Sequence, residues 1–301
     1  MRIAHLSDPH LLTPGWRQRL RDFANKRWIG GLNLLLSRGR DHRVAIFEAM
    51  VADINGAGID HVIATGDITN LALDQEFAFA REAFDRIDLG PDHVTVIPGN
   101  HDAYVAEGVA GFATHFGGFA RSDDDFTGGP PWPVVRVRGP VAIIGMSTSH
   151  QTPWFTCFGR LGTAQIGRLR QVLGDPRLAG CHRIVAIHHP PAGASSRSRI
   201  RGLHDWRALW SVLKESGCEL VLHGHEHRDL HHEIPGHGGA IPVRGIPSAT
   251  FGPAEPVPER TASYRIYEVG SAAAGRPAVC KEQVRAWDEA VGAFVEAPLA
   301  A

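Results

Sequence analysis

Cysteine is scarce in this chain of 301 residues: Cys157, Cys181, Cys218 and Cys280 lie far apart with no paired spacing. A disulfide framework is therefore not what organises it, and the pattern fits thiols kept reduced in the cytosol. No apolar run approaches the roughly 20 residues that a membrane-spanning helix needs; Leu32 to Leu36 with its flanks is the longest near the front. The opening Arg2-Ile3-Ala4-His5-Leu6 reaches charged residues at once. It lacks the apolar core and small-residue cleavage site of an export signal, so a cytoplasmic location is expected. An excess of charge is missing too, since 31 Lys and Arg nearly balance 32 Asp and Glu to leave −1. Bulk attraction to nucleic acid or to an anionic membrane is not implied. With no long coiled coil or extended basic stripe, nucleic acid is an improbable partner. No repeat, low-complexity block or linker divides the chain, so residues 1–301 are expected to form one domain with a tail after about 270.

What is abundant is histidine, 18 residues, many of them in short polar clusters. Short apolar runs repeatedly end in such clusters, the pattern of buried strands whose C-terminal ends carry loops, where ligands sit in α/β sheets. Arg2 to Leu6 leads to Asp8 and His10; His61 to Ala64 leads to Asp67; Val94 to Ile97 leads to Asn100, His101 and Asp102. Arg183 to Ile187 ends at His188-His189-Pro190-Pro191, and Leu220 to Leu222 at His223-Gly224-His225-Glu226-His227. Helical spacing is seen over Val44 to Asn55, Asp74 to Ile87, Thr163 to Leu173 and Trp206 to Ser216, so the class is α/β. Trp132 to Val137 with Val141 to Met146, and Ile241 to Ile246 with Tyr264 to Val269, read as strands joined without helices. They suggest a second, more antiparallel sheet.

Asp8, His10, Asp67, Asn100, His188, His225 and His227 together offer two carboxylates, an amide oxygen and four imidazoles at strand ends. That mixed set suits first-row ions such as Mn, Fe or Zn. Residues i and i+2 on an extended strand end share a side, so Asp8 with His10, and His225 with His227, can grip metal together. Gly66, Gly99 and Gly224 stand beside the donors and would let the backbone turn. A single such His or Asp is ordinarily a core side chain or a turn former. Five polar tips in one chain are what carries the signal.

These motifs resemble those of the calcineurin-like metallophosphoesterases, in order from Asp8-Pro9-His10 through Gly66-Asp67-Ile68-Thr69-Asn70, Gly99-Asn100-His101-Asp102 and His188-His189-Pro190 to Gly224-His225-Glu226-His227. In style they are most similar to the class III cyclic nucleotide and glycerophosphodiester phosphodiesterase branch. The resemblance implies a four-layer αββα sandwich of two mixed sheets with helices outside and the metals at the strand C-terminal ends. It implies two divalent or mixed-valence ions, one held by Asp8, His10 and His227, the other by Asn100, His188 and His225, with Asp67 bridging. His101 resembles the family's proton donor to the leaving oxygen, and Asp102 would orient it as carboxylates commonly orient working histidines. Where the purple acid phosphatase branch places a tyrosine ligand, this chain has Asn70. A tyrosinate-bound ferric site is therefore not expected. Two cations about 3.5 to 4 Å apart can neutralise phosphate oxygens and activate a bridging water for in-line attack.

The segments between motifs should choose the substrate. The basic and apolar insertion at about 14–43 carries, over residues 16–43, eight Arg or Lys against two Asp, interleaved with Trp16, Phe23 and Trp28. It could touch the inner face of an anionic membrane or cover a lipid-bearing substrate. After the His188 tip, Arg197, Arg199 and Arg201, with His189, could bind a second phosphate or a carboxylate. A small phosphodiester is the substrate these motifs favour. A lipid-linked pyrophosphate of the UDP-diacylglucosamine type is the alternative, and a non-catalytic scaffold on the same fold would require lost ligands. Oligomeric state is not legible in the sequence.

Overall fold

A computed structural model describes residues 1–13, 43–103, 105–126, 130–253, 257–271 and 277–299. Three strands, β1 (Arg2–Leu6), β2 (His61–Ala64) and β3 (Val94–Val96), run parallel. They alternate with helices α1 (Val44–Gly56), α2 (Asp74–Phe84) and α3 (Ala106–Phe116). A hairpin, β4 (Val134–Arg138) and β5 (Val141–Gly145), opens the second half. There follow α4 (Gly162–Leu173), β6 (His182–Ala186), α5 (Trp206–Ser216) and β7 (Leu220–His223). The chain closes with β8 (Leu230–Pro235), β9 (Ala240–Gly245), β10 (Ser263–Ser271), β11 (Pro277–Asp288) and β12 (Ala293–Ala297).

Two six-stranded sheets result, ordered β12-β11-β10-β1-β2-β3 and β4-β5-β6-β7-β9-β8. Their alternation explains the near-continuous apolar runs: with both faces covered, neither side of a strand can be polar. Ile3, Ile63, Ile143, Ile184 and Leu222 meet between the sheets. The intervening Ala4, Val62 and Ala64 face α1 to α3, and Ala142, Val185 and Val221 face α4 and α5. This is the layered arrangement that the motifs implied, with the tips of β1, β2, β3, β6 and β7 at one end.

The antiparallel strands do not form a separate sheet as expected. Tyr264 to Val269 falls in β10, which pairs antiparallel to β1, so each sheet is mixed and carries its antiparallel strands toward an edge. The segment past 270 is no tail, because β11 and β12 extend the first sheet. Two glycines of helix α3 stand against its neighbours: a side chain at Gly108 would strike Ala72 and the Asp102 carbonyl, and one at Gly111 the Phe77 ring. The glycines let α3 lie close on α2.

Residues 14–42 of the basic insertion lie outside the described residues. Arg43 is described, at the N-cap of α1, and its guanidinium forks onto Glu289 at 2.8 and 2.6 Å. Among the described residues no helix is long and apolar enough to cross a membrane.

Candidate metal centre

Among the described residues, five of the seven non-glycine residues with positive φ are Asp8, His10, Asp67, His225 and His227. Such backbone costs of order 1–3 kcal/mol per residue, and its concentration in one place marks a functional site. The expectation that Asp8 with His10, and His225 with His227, share a side of an extended strand is corrected here: the chain has already left the strand and turned left-handed. The turns are held by bonds that continue past the strands, from Asp8 N to the Gly66 carbonyl (2.9 Å) and from His10 N to the Asp67 carbonyl (3.0 Å). Ser248 Oγ donates to the Asp8 carbonyl at 2.6 Å, a support the sequence did not reveal. Gly99 and Gly224 serve close approach rather than turning. A Cβ on Gly99 would overlap the Asp67 carboxylate, and one on Gly224 would overlap Ser7 Oγ and the Asp8 carboxylate.

Two donor groups meet at Asp67. Asp8, His10, Asp67 and His227 place one ligand atom each within 4.8 Å of one another, and so do Asp67, His188 and His225. In the first, His10 Nε2 lies 3.1 Å from His227 Nε2, and His227 Nε2 lies 3.2 Å from Asp8 Oδ1. In the second, Asn100 Oδ1 is 2.8 Å from His225 Nδ1 and 3.1 Å from His188 Nε2, and Asp67 Oδ2 is 3.4 Å from His188 Nε2. Each group draws on both sheets, His188, His225 and His227 coming from the second.

The tautomers fit cation binding. A carbonyl can only accept, so the contacts of His10 Nδ1 to the Thr69 carbonyl (3.2 Å) and of His188 Nδ1 to the Thr65 carbonyl (2.7 Å) place the ring proton on Nδ1. Both Nε2 atoms then face the cluster, as in metal sites where a backbone carbonyl fixes the ligating ring, and a metal ion there would take the place of any second ring proton. Electrostatics agree. Burial opposes charge on His188, but Asp67 and Asp8 raise it to about 9. Burial likewise opposes charge on Asp67, yet His188, His101 and His10 hold it well below the usual carboxylate range. The buried anion draws positive charge toward it, the role a metal ion would fill. The donor set therefore fits two first-row cations.

His101 and Asp102 have different partners from those expected. His101 Nδ1 donates to the Asn70 carbonyl at 2.7 Å, and its backbone N–H donates to Asp67 Oδ1 at 2.7 Å. The His101 ring stands edge-on to His10 with centroids 4.8 Å apart. Asp102 does not orient His101. Its Oδ1 accepts from Thr69 N and Thr69 Oγ1, both at 2.9 Å, and its Oδ2 from Gly99 N (2.8 Å) and Ile68 N (3.1 Å). The carboxylate ties the β2 and β3 loops together instead.

His189 is also corrected. Its Nε2 donates to the Cys157 carbonyl (2.8 Å), so its Nδ1 accepts from Thr148 Oγ1 (2.8 Å), and the buried ring is wholly engaged within the fold. Burial and the neighbouring His188 lower it to about 3. Of the three arginines expected at the substrate, Arg201 lines a groove of about 440 Å³ with Ser195, Ser198, Glu226, Arg228 and Arg260. Arg197 instead lies 5.7 Å over the Trp206 ring, and Arg199 is exposed. Arg201 is near enough for its charge to help hold His225 neutral, after burial, His189 and His188. Arg228 and Arg260 were missed; adjacency to His227 was the one available signal for Arg228. A larger cavity of about 760 Å³ lies around His182, Arg183, Cys218 and Glu219, at the other end of the strands. There Arg183 and Glu219 satisfy each other at 2.7 Å.

Glu76 is a further hidden support. Fully buried, it accepts from Leu71 N (2.9 Å) and Leu73 N (3.1 Å), shaping the turn after Asn70, whose Nδ2 donates to the His10 carbonyl (2.7 Å). Burial, and to a lesser degree Asp102, raise it to about 7. Its carboxyl is raised on folding, so its contribution is full below the unfolded value near 4.5 and is lost as pH climbs through about 7. Glu76→Gln should therefore gain on the parent protein by roughly 2 kcal/mol between pH 5 and pH 8. Denaturant melts of both proteins at the two pH values measure it, and a pH-independent difference would show that Glu76 is ionised throughout.

A sequence model described as calcineurin-like phosphoesterase matches residues 1–229. Among curated protein sequences, none matches. Solved structures share the fold at low identity. A dimetal phosphatase from Danio rerio superposes with a TM-score of 0.54 at 12% identity, covering 95% of this chain and 95% of that one. Sulfate thiohydrolase SoxB from Thermus thermophilus gives 0.53 at 14%, over 98% of this chain and 58% of that one. Purple acid phosphatase PPD1 from yellow lupin gives 0.51 at 13%, over 100% and 57%.

Proposed function

We propose a metal-dependent hydrolysis of a phosphodiester for this chain, which belongs to the calcineurin-like phosphoesterase family. Two donor groups that meet at Asp67 carry this reading. Asp8, His10 and His227 would hold one ion and Asn100, His188 and His225 the other, with Asp67 shared. Two such ions, when bound, neutralise phosphate oxygens and lower the pKa of a water that can attack phosphorus.

The remaining work falls to the chain itself. His101 keeps its Nδ1 proton hydrogen-bonded to the Asn70 carbonyl, so Nε2 is the atom that can carry a second proton to the leaving oxygen. Arg201, Arg228 and Arg260, which line one groove, can hold another anionic part of the substrate. A cyclic nucleotide or glycerophosphodiester is the small substrate that the motif style favours. A lipid-linked diester or pyrophosphate, of the UDP-diacylglucosamine type, is the second reading, favoured by the three-arginine groove. A scaffold role would need lost donors, whereas the chain carries a donor side chain at all seven positions.

The test is metal analysis joined to hydrolysis of bis(p-nitrophenyl) phosphate. The purified protein should carry two ions per chain, lose activity to a chelator and regain it with Mn²⁺. A metal-free protein that stays inactive with Mn²⁺, Fe²⁺ and Zn²⁺ sinks the enzyme reading. Faster turnover of nucleoside monophosphates than of cyclic nucleotides, glycerophosphodiesters or UDP-lipids sinks the diester preference.

A further inference from the structure

Six large apolar side chains among the described residues are strongly exposed, and three of them, Trp154 (54%), Phe155 (79%) and Ile200 (55%), belong to two loops joined to each other. Cys157 N donates to the Ile200 carbonyl at 2.8 Å, and Gly159 bridges Leu203. The loops leave the C-terminal ends of β5 and β6, the second passing through the ligand His188, so both stand at the metal-site end of the fold. They are firmly built: Phe158 stacks on His204 at 3.9 Å, and Thr152 Oγ1 donates to the Thr156 carbonyl at 2.7 Å.

Phe155 is held at φ 64° while exposed to solvent. Left-handed backbone is a genuine outlier for a bulky residue, and nothing about burial in this fold compensates it. Charge runs with the apolar tips. Residues 147–160 and 192–204 contain Arg160, Arg197, Arg199 and Arg201 and no Asp or Glu. Among the described residues, Arg197, Arg199 and Arg201 form no ion pair. Exposed aromatic tips on the same two loops as arginines that no carboxylate neutralises match a bilayer interface, where rings sit at headgroup depth and cations meet anionic lipid.

We propose that the loops 147–160 and 192–204 form a docking surface for an anionic lipid bilayer, with Trp154, Phe155 and Ile200 entering the interface and Arg197 and Arg199 facing the headgroups. The metal centre would then open close to the membrane surface. Docking does not depend on the hydrolase reading, because it is measured by partition.

Sedimentation with phosphatidylcholine vesicles, with and without phosphatidylglycerol, tests it. The full chain should pellet with the anionic vesicles, far less with phosphatidylcholine alone, and less in high salt. Trp154→Ser with Phe155→Ser, and separately Arg197→Glu with Arg199→Glu, should each lower the partition by about tenfold. The aromatic variant should keep the circular dichroism spectrum and melting temperature of the parent protein, which reports an intact fold. No pelleting with anionic vesicles at low salt overturns the proposal. So does wild-type pelleting by both variants, which would assign binding to another part of the chain. Light scattering that shows a dimer lost in the aromatic variant would place a second copy on the patch and overturn it equally.

Discussion

Asp67→Asn should leave the protein folded, strip most of both metal ions from it and lower phosphoester hydrolysis by about 10³-fold or more. The reason is position. Asp67 belongs to both donor groups, 3.4 Å from His188 and 3.7 Å from His10, so two cations bound there would share its charge. Removing even the hydrogen-bond partner of a ligand costs 10- to 100-fold in metal affinity or activity. Asparagine is the informative replacement because it tolerates left-handed backbone, and Asp67 has φ 53°. It also fills the space against Gly99. Metal analysis after desalting, together with circular dichroism, measures the outcome. A variant that keeps two ions per chain would show that Asp67 does not bridge.

His101→Ala should behave in the opposite way, keeping its metals while losing turnover. General acid catalysis is worth about 10²- to 10⁴-fold, and the loss should depend on the leaving group. An alkoxide needs a proton as it departs and a nitrophenolate does not. The variant should therefore be slowed strongly on an alkyl phosphodiester and only mildly on bis(p-nitrophenyl) phosphate. His101 contacts Asp67 through its backbone N–H, which alanine retains, so the donor cluster should persist. Metal content measured beside the two rates decides the case. Equal slowing on both substrates would remove the acid role, and loss of metal would make His101 a ligand.

The positions of the donors were legible because the strands that carry them are covered on both faces. Val62 to Ala64 and Leu220 to Leu222 are unbroken apolar runs, so the first polar residue after each marks the tip. The conformation of the tips was not legible. The i, i+2 spacing pointed to the right residues through an extended geometry that the left-handed φ values replace. Neighbours of donors misled for a related reason: sequence adjacency says nothing of direction. His189 adjoins His188, yet the two rings stand at 90° and His189 turns toward Thr148 and Cys157. Asp102 adjoins His101 but serves the backbone of Ile68, Thr69 and Gly99. The last two strands, β11 and β12, were hidden because they are half-exposed and mix charged with apolar residues, as in Lys281 to Val284. Only their non-local pairing with β10 defines them.

Because each donor group takes residues from both sheets, ions bound there would also act as rivets at one end of the apolar seam along which the two sheets already pack. Whatever free energy the metals contribute on binding is then added to the cohesion of the native state. Mechanical and proteolytic resistance would follow transition-metal supply. Under metal starvation the cell would hold not merely an idle enzyme but a looser one, more readily cleared, so abundance and activity would fall together.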